Sequence, residues 1–296
     1  MGKDLAEAFP AARDVFEAVD EALGVPLARL MWEGPAEELT LTHNAQPAIL
    51  AHSLAAFAVV GPVLAPVLGA GHSLGEYSAY AAAGALRVQD AARLVRRRGQ
   101  LMYEAGLARP GTMAAVLGMP TDRVVSACAE ASGADGVAVA ANLNAPDQTV
   151  ISGDPDAVER AGALLRNAGA KRVLPLNVSG AFHSPLMAPA EEGLLAELEQ
   201  VALADPAFPV IANATAEPVG DATTARRNLR AQLTAPVRWV ESMERAAALA
   251  GETDVTFVEV GPGTVLSGLL RRTVSGAAAV SLGTAEQITS FLEQHA

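Results

Sequence analysis

The residues best placed to do chemistry are Gly71, Ser73 and Gly75, within Val67-Leu68-Gly69-Ala70-Gly71-His72-Ser73-Leu74-Gly75-Glu76-Tyr77-Ser78. A serine bracketed by glycines, after an apolar run and before an alanine-rich helix former, is the G-x-S-x-G nucleophile elbow. The elbow forces the hydroxyl into a strained turn clear of the sheet, where large flanking side chains would clash. A helix starting at Leu74 points free N–H groups and its positive dipole end at whatever bonds to Ser73, which suits an anionic tetrahedral intermediate. The same glycines and serine also fit a plain turn between buried elements, so the reading needs partners for the serine.

A nucleophilic serine needs a base, and the chain offers five histidines. His72 adjoins the serine and projects differently from the elbow; His52 sits inside an apolar helix; His43 and His295 lie in a loop and at the terminus. His183 remains, on a loop after a strand, and its downstream position matches the order nucleophile then base of α/β hydrolases. No acid between them stands out as a third member, so the reading is a dyad. A dyad suits a thiol leaving group, because a thiol of pKa ~8.5 departs as an anion with far less protonation than an amine requires.

Arg98 adds the other end of the substrate. On a helix expected over residues 88–104 it shares a stripe with Ala91, Leu94, Val95, Met102 and Ala105, while Arg93, Arg96, Arg97 and Gln100 face away. An arginine on an apolar face needs an anion, either a core carboxylate in a structural ion pair or an anionic ligand. A guanidinium makes a bidentate pair with a carboxylate. Together these residues read as acyl transfer from a thioester whose acyl group ends in a carboxylate.

The elements that must hold them follow from apolar spacing. Residues 2–23 read as helix with a break where Pro10 opens a second one, Asn44 is expected to cap a helix running to about Val60, and the elbow strand follows. From Gly111 the rhythm changes. Strands over 112–118, 137–142, 148–152 and 172–176 and helices over 121–132 and 154–169 give the βαββαβ order of the ferredoxin-like module. Residues 109–177 are therefore expected to be a subdomain inserted into a larger α/β core of residues 1–108 and 178–296. That core returns with a helix to about Val201, a strand near 209–213, helices over 222–233 and 237–250, a strand over 255–260, a helix carrying Leu266, Leu269 and Leu270, a strand over 277–282 and a last helix.

Composition bounds the rest. With 296 residues and 51% hydrophobic content the chain can bury a large core. A single cysteine, Cys128, excludes an internal disulfide framework, and nothing spaced like a metal site surrounds it, so a cytosolic protein with no metal is expected. A net charge of −12 leaves no broad basic face for nucleic acid. Residues 44–75 carry no Lys, Arg, Asp or Glu, but Gly61, Pro62, Pro66 and Gly69 divide them into a helix and a short strand rather than a membrane span. The opening Met1-Gly2-Lys3-Asp4-Leu5 does not read as a signal peptide.

Gly71-His72-Ser73-Leu74-Gly75-Glu76-Tyr77-Ser78-Ala79, Arg98-Gly99, Asn142-Leu143-Asn144-Ala145-Pro146, Phe182-His183-Ser184 and Glu259-Val260-Gly261-Pro262-Gly263 together resemble the malonyl-CoA:acyl carrier protein transacylases. The acyltransferase domains of polyketide and fatty acid synthases share these features. The resemblance implies an α/β-hydrolase-like parallel-sheet core with a ferredoxin-like subdomain and the site between them. It implies Ser73 as the acylated nucleophile, His183 as its base, and Arg98 as the clamp on the malonyl carboxylate. It also implies the Leu74 N–H as one oxyanion donor and the Gln232 backbone carbonyl as the group orienting His183, and it adds His72 and Asn142 to the substrate-binding set. Phe182 is similar to the bulky residue that crowds an α-methyl branch in malonyl-selective members; packing alone is the other reading of it. The implied reaction is ping-pong transfer of malonyl from coenzyme A to Ser73 and then to the phosphopantetheine thiol of an acyl carrier protein, with no cofactor beyond the thioester substrate, in a cytoplasmic monomer.

One departure from the family stands out. Its members begin with a strand and a Gly-Gln-Gly turn that supplies a second oxyanion donor, just ahead of the segment matching Met1-Gly2-Lys3. The expectation is that translation starts upstream and that Met1 is internal, because losing such a donor costs ~10²- to 10³-fold in rate. Two rival readings use the same residues: a hydrolase of acyl thioesters, and an inactive carrier-protein partner. Because carrier proteins are usually acidic, Arg96, Arg97, Arg226, Arg227, Arg230, Arg271 and Arg272 are candidates for a local basic surface.

Overall fold

In the computed structural model, which describes residues 1–251 and 255–295, helices outnumber strands and three small sheets are distributed among them. The helix Thr42–Val60 is mostly apolar and gathers its few polar residues on no single face, and such a helix belongs inside a core. By length and composition it would suffice to cross a membrane. Here Leu50, Ala51, Leu54, Ala55 and Val60 are instead buried in the main hydrophobic core, against the helices Pro10–Leu23 and Val88–Ala108.

Gly99 sets the closeness of that packing. A Cβ there would stand 2.6 Å from the His43 Cα and 2.8 Å from the Thr42 carbonyl oxygen, so only glycine lets the two helices approach this tightly. The contact places the adjacent Arg98 against Gln46 of the central helix. The expected cap at Asn44 is corrected, because the helix begins two residues earlier at Thr42 and Asn44 lies within it. Its amide instead donates to the Glu38 carbonyl at 2.7 Å and accepts from Arg96.

In chain order the strands are β1 (Gly69–Ala70), β2 (Thr112–Leu117), β3 (Ala138–Ala145), β4 (Gln148–Gly153), β5 (Arg172–Pro175), β6 (Val210–Ile211), β7 (Pro218–Val219), β8 (Thr256–Val260) and β9 (Ala278–Leu282). β1 pairs in parallel with β6, and β6 antiparallel with β7; β8 and β9 form a separate parallel pair. Where a parallel-sheet core was expected, the described residues thus hold two parallel pairs in different sheets. The elbow strand is short for a local reason. Pro66 has no N–H to pair, and at Gly71 the chain already turns so tightly that a Cβ would lie 1.9 Å from the Gly75 carbonyl oxygen.

The middle of the chain forms an antiparallel sheet in the order β3-β4-β2-β5. The helices Thr121–Ala131 and Pro155–Asn167 bury Val124, Cys128, Val158, Ala161 and Leu165 against Val116 and Ile151 of the sheet. β3 also bridges to the chain beyond Gln232: the Leu143 N–H donates to the Val237 carbonyl at 2.9 Å, and the Val237 N–H to the Ala141 carbonyl at 2.8 Å. This bridge ties the four-stranded sheet to the segment that reaches the serine.

Candidate active site

Ser73 has φ 53°, in the left-handed region that a side chain adopts only when its surroundings impose it. Three side-chain bonds impose it. The Ser73 N–H donates to Asn213 Oδ1 at 2.6 Å, Asn213 Nδ2 donates to the Gly71 carbonyl at 2.7 Å, and Gln232 Nε2 donates to the Ser73 carbonyl at 2.9 Å. The helix Gly75–Ala82 then starts, and the Leu74 N–H just ahead of it meets no protein acceptor among the described residues. A donor of that kind at a helix start is available to an anion.

His183, also in the left-handed region at φ 55° and 4% exposed, stands with Nε2 2.8 Å from Ser73 Oγ. Its Nδ1 lies 2.9 Å from the Gln232 carbonyl and 3.2 Å from the Ala235 carbonyl. Carbonyl oxygens only accept, so Nδ1 carries the proton and Nε2 is left as the acceptor for the serine hydroxyl. Burial, helped by the positive Arg98 nearby, pushes the His183 pKa down to about 3 and keeps the ring neutral.

Arg98, 1% exposed, completes the group. Nη2 donates to Ser73 Oγ at 3.1 Å and to Gln232 Oε1 at 2.9 Å, Nη1 donates to Gln46 Oε1 at 2.7 Å, and the guanidinium lies over the Tyr77 ring at 5.6 Å. Its hydrogen-bond acceptors are two amide oxygens and a hydroxyl, none of them charged, and burial lowers its pKa. A buried cation held by neutral groups is a receptor for an anion. The core carboxylate foreseen as one possible partner exists, but at one remove. Glu76, fully buried with its pKa raised to about 7 by desolvation, accepts from Gln232 Nε2 at 2.7 Å, and Gln232 in turn meets Arg98.

Ser73, His183, Arg98, Leu74 and Gln232 therefore lie together as the sequence reading expected. His72 bonds through Nε2 to Asn144 Oδ1 at 2.8 Å, beside the Trp239 ring. Asn142 lies on β3 at the backbone bridge to Val237, and two residues on, the Asn144 side chain meets the elbow at His72. Phe182 packs between the main core and the cluster of Met113, Ala141 and Val150 on the four-stranded sheet. The sequence reading missed Asn213, Glu76 and Gln46. Of the expected basic surface, Arg96, Arg97, Arg226, Arg230 and Arg272 are engaged by the chain itself.

An acyl transferase domain family matches residues 1–293 of this chain. A malonyl CoA-acyl carrier protein transacylase of Bacillus subtilis is 46% identical over 275 residues, 92% of this chain and 85% of that protein. Among solved structures, an acyl carrier protein S-malonyltransferase of Vibrio cholerae is 40% identical with a TM-score of 0.94, covering 98% of this chain and 94% of that one. The complex of a type II polyketide synthase acyl-carrier protein with its malonyl-transacylase is also similar, with 39% identity, a TM-score of 0.93, and 99% and 94% of the two chains covered. With the serine, its imidazole and a buried arginine gathered at one hydroxyl, and with these likenesses spanning nearly its whole length, the chain belongs to the acyl transferase domain family.

Proposed function

We propose that this protein is a malonyl-CoA:acyl carrier protein S-malonyltransferase working through a Ser73 acyl-enzyme. The observation that carries this reading is the 3.1 Å separation of Arg98 Nη2 from Ser73 Oγ. A carboxylate held by that guanidinium sits beside the nucleophile, so the acyl group must have its carboxylate very close to its thioester carbonyl. Malonyl, with one methylene between them, meets that requirement.

His183 Nε2 takes the Ser73 proton as Oγ attacks the thioester carbonyl, and the Leu74 N–H faces the oxyanion. Collapse breaks the C–S bond, and the imidazolium returns its proton to the departing coenzyme A sulfur. In the second half the phosphopantetheine thiol gives its proton to His183 and attacks the serine ester; Oγ leaves and recovers the proton. The two backbone carbonyls at Nδ1 hold the ring in the required tautomer without a carboxylate. Substrate binding also tunes the base: a malonyl carboxylate neutralises Arg98, whose charge otherwise depresses the His183 pKa, and so makes the imidazole more basic when the acyl group is in place.

The β3-β4-β2-β5 order, antiparallel throughout, supports reading residues 109–177 as a ferredoxin-like subdomain inserted in a hydrolase-like core of residues 1–108 and 178–296. Cytoplasmic malonyl-CoA and an acyl carrier protein are the partners this chemistry requires. The test is intact-mass analysis after exposure to malonyl-CoA alone. A malonyl adduct that persists until a carrier-protein thiol is added is the expected result; rapid loss to water would identify a hydrolase, and no adduct would overturn the reading.

A further inference from the structure

Glu76 is a buried carboxylate that the proposed reaction does not use. It is fully buried, and one of its oxygens, Oε1, has no hydrogen-bond partner among the described residues. Such a group is costly to keep, and a hydrophobic residue would fill the volume more cheaply. The other oxygen, Oε2, accepts from two donors that both lead to the site: Gln232 Nε2 at 2.7 Å and the Asn213 N–H at 3.0 Å.

The Gln232 side chain is committed at both ends. Its amide nitrogen bonds the Ser73 carbonyl and Glu76, while Oε1 faces the Arg98 guanidinium. Its backbone carbonyl bonds the His183 ring. If the amide turned over, an NH2 group would face the guanidinium, donor against donor, and displace it. The Ser73 carbonyl engages only one of the two amide hydrogens; Glu76 Oε2 accepts the other, and the bond polarises the amide so that Oε1 holds the cation more firmly.

We propose that Glu76 is the positioning residue of the carboxylate clamp: by fixing and polarising the Gln232 amide it sets Arg98 in the pose that selects an acyl group ending in a carboxylate. The inference deepens the malonyl-transfer reading and rests on it. Glu76 also supports Asn213, which holds the serine backbone, and a fault there slows every acyl donor equally. The two effects separate in the ratio of donors. A clamp fault is felt by malonyl-CoA and not by acetyl-CoA, which brings no carboxylate to Arg98.

The experiment compares kcat/KM for malonyl-CoA and acetyl-CoA, with an acyl carrier protein as acceptor, in the full chain, Glu76→Met and Glu76→Gln. Removing the acceptor in Glu76→Met should cut the malonyl-to-acetyl ratio by about tenfold or more, the scale of a lost hydrogen bond to a charged group. Glu76→Gln, which keeps an acceptor for both donors, should recover most of the ratio. Gln232→Met should lower the ratio as Glu76→Met does, and the double variant should lose little more than either single one. An unchanged ratio in Glu76→Met, or equal loss on both donors, would overturn the proposal. If Glu76→Met does not fold, Gln232→Met with the parent ratio would overturn it instead. Failure of the unaltered protein to accept malonyl from malonyl-CoA would sink the function reading itself, an outcome distinct from these.

Discussion

The chain around Ser73 and the sheet β3-β4-β2-β5 solve one problem by different means, since each must satisfy buried backbone groups. In the sheet the backbone pairs with itself: β2 and β4 run in unbroken antiparallel register from Thr112↔Gly153 to Leu117↔Gln148. At the elbow β1 offers two residues of ladder, and side chains from distant parts of the chain hold the backbone on either side of the nucleophile, namely Asn213 on Ser73 and Gly71 and Gln232 on Ser73. A ladder tolerates most side chains that fit its faces. A backbone held by side chains tolerates almost none, and this explains how a left-handed serine persists there.

Breaking that comparison at its tightest point should give the largest effect. Gly71→Ala puts a Cβ 1.9 Å from the Gly75 carbonyl oxygen, so the elbow cannot form as it stands. Loss of soluble folded protein, or destabilisation beyond about 4 kcal/mol, is expected in denaturant titration. A matched pair comes next. Ile151→Ala opens a cavity in the fully buried core of the sheet unit and should cost about 2 to 5 kcal/mol while leaving kcat/KM per folded molecule near the parent value. Asn213→Ala strands the Ser73 N–H and the Gly71 carbonyl and should cost about 2 to 4 kcal/mol, with kcat/KM falling at least about tenfold. Equal kinetics in the two variants would erase the distinction drawn between the regions.

The comparison was unevenly legible in the sequence. The strands and helices of the sheet unit were readable to within a few residues, because alternation and helical spacing act locally; the helix expected over 121–132 is Thr121–Ala131. Ser73, His183 and Arg98 were readable from spacing and residue type. Asn213, Glu76 and Gln46 were not, since each acts through a partner 52 to 156 residues away, as the Arg98–Gln46, Ser73–Asn213 and Glu76–Gln232 bonds illustrate. Two of them left a trace nonetheless. Gln46 is one of few polar residues in a mostly apolar helix, and Glu76 leads the run Tyr77-Ser78-Ala79-Tyr80, too apolar for a solvated face. The expected elbow strand shortened to β1 because Pro66 and Gly71 bound it, and the Asn144 contact with His72 was not foreseen.

A smaller effect separates the regions by pH. His183 and His52, held near about 3 and about 4 by burial, stay neutral in the folded chain, whereas the unfolded chain binds those protons below pH 6.5. Their contribution to stability is therefore lost as pH falls below 6.5. Glu76, raised to about 7 from an ordinary 4.5, acts in the opposite sense, and stability drains as pH rises through that interval. The melting temperature should pass through a maximum between about pH 6 and 7, and Glu76→Gln should flatten its alkaline side. All three groups lie outside the four-stranded sheet unit.

The central claim is that one guanidinium beside the serine chooses the acyl group, and Arg98→Ala tests it most directly. Rates of Ser73 acylation by malonyl-CoA and acetyl-CoA, followed by intact mass in the parent and the variant, should show malonyl acylation reduced by about a hundredfold and acetyl acylation retained. A variant that keeps the parent's preference for malonyl, or that loses both donors in equal measure, would contradict the account.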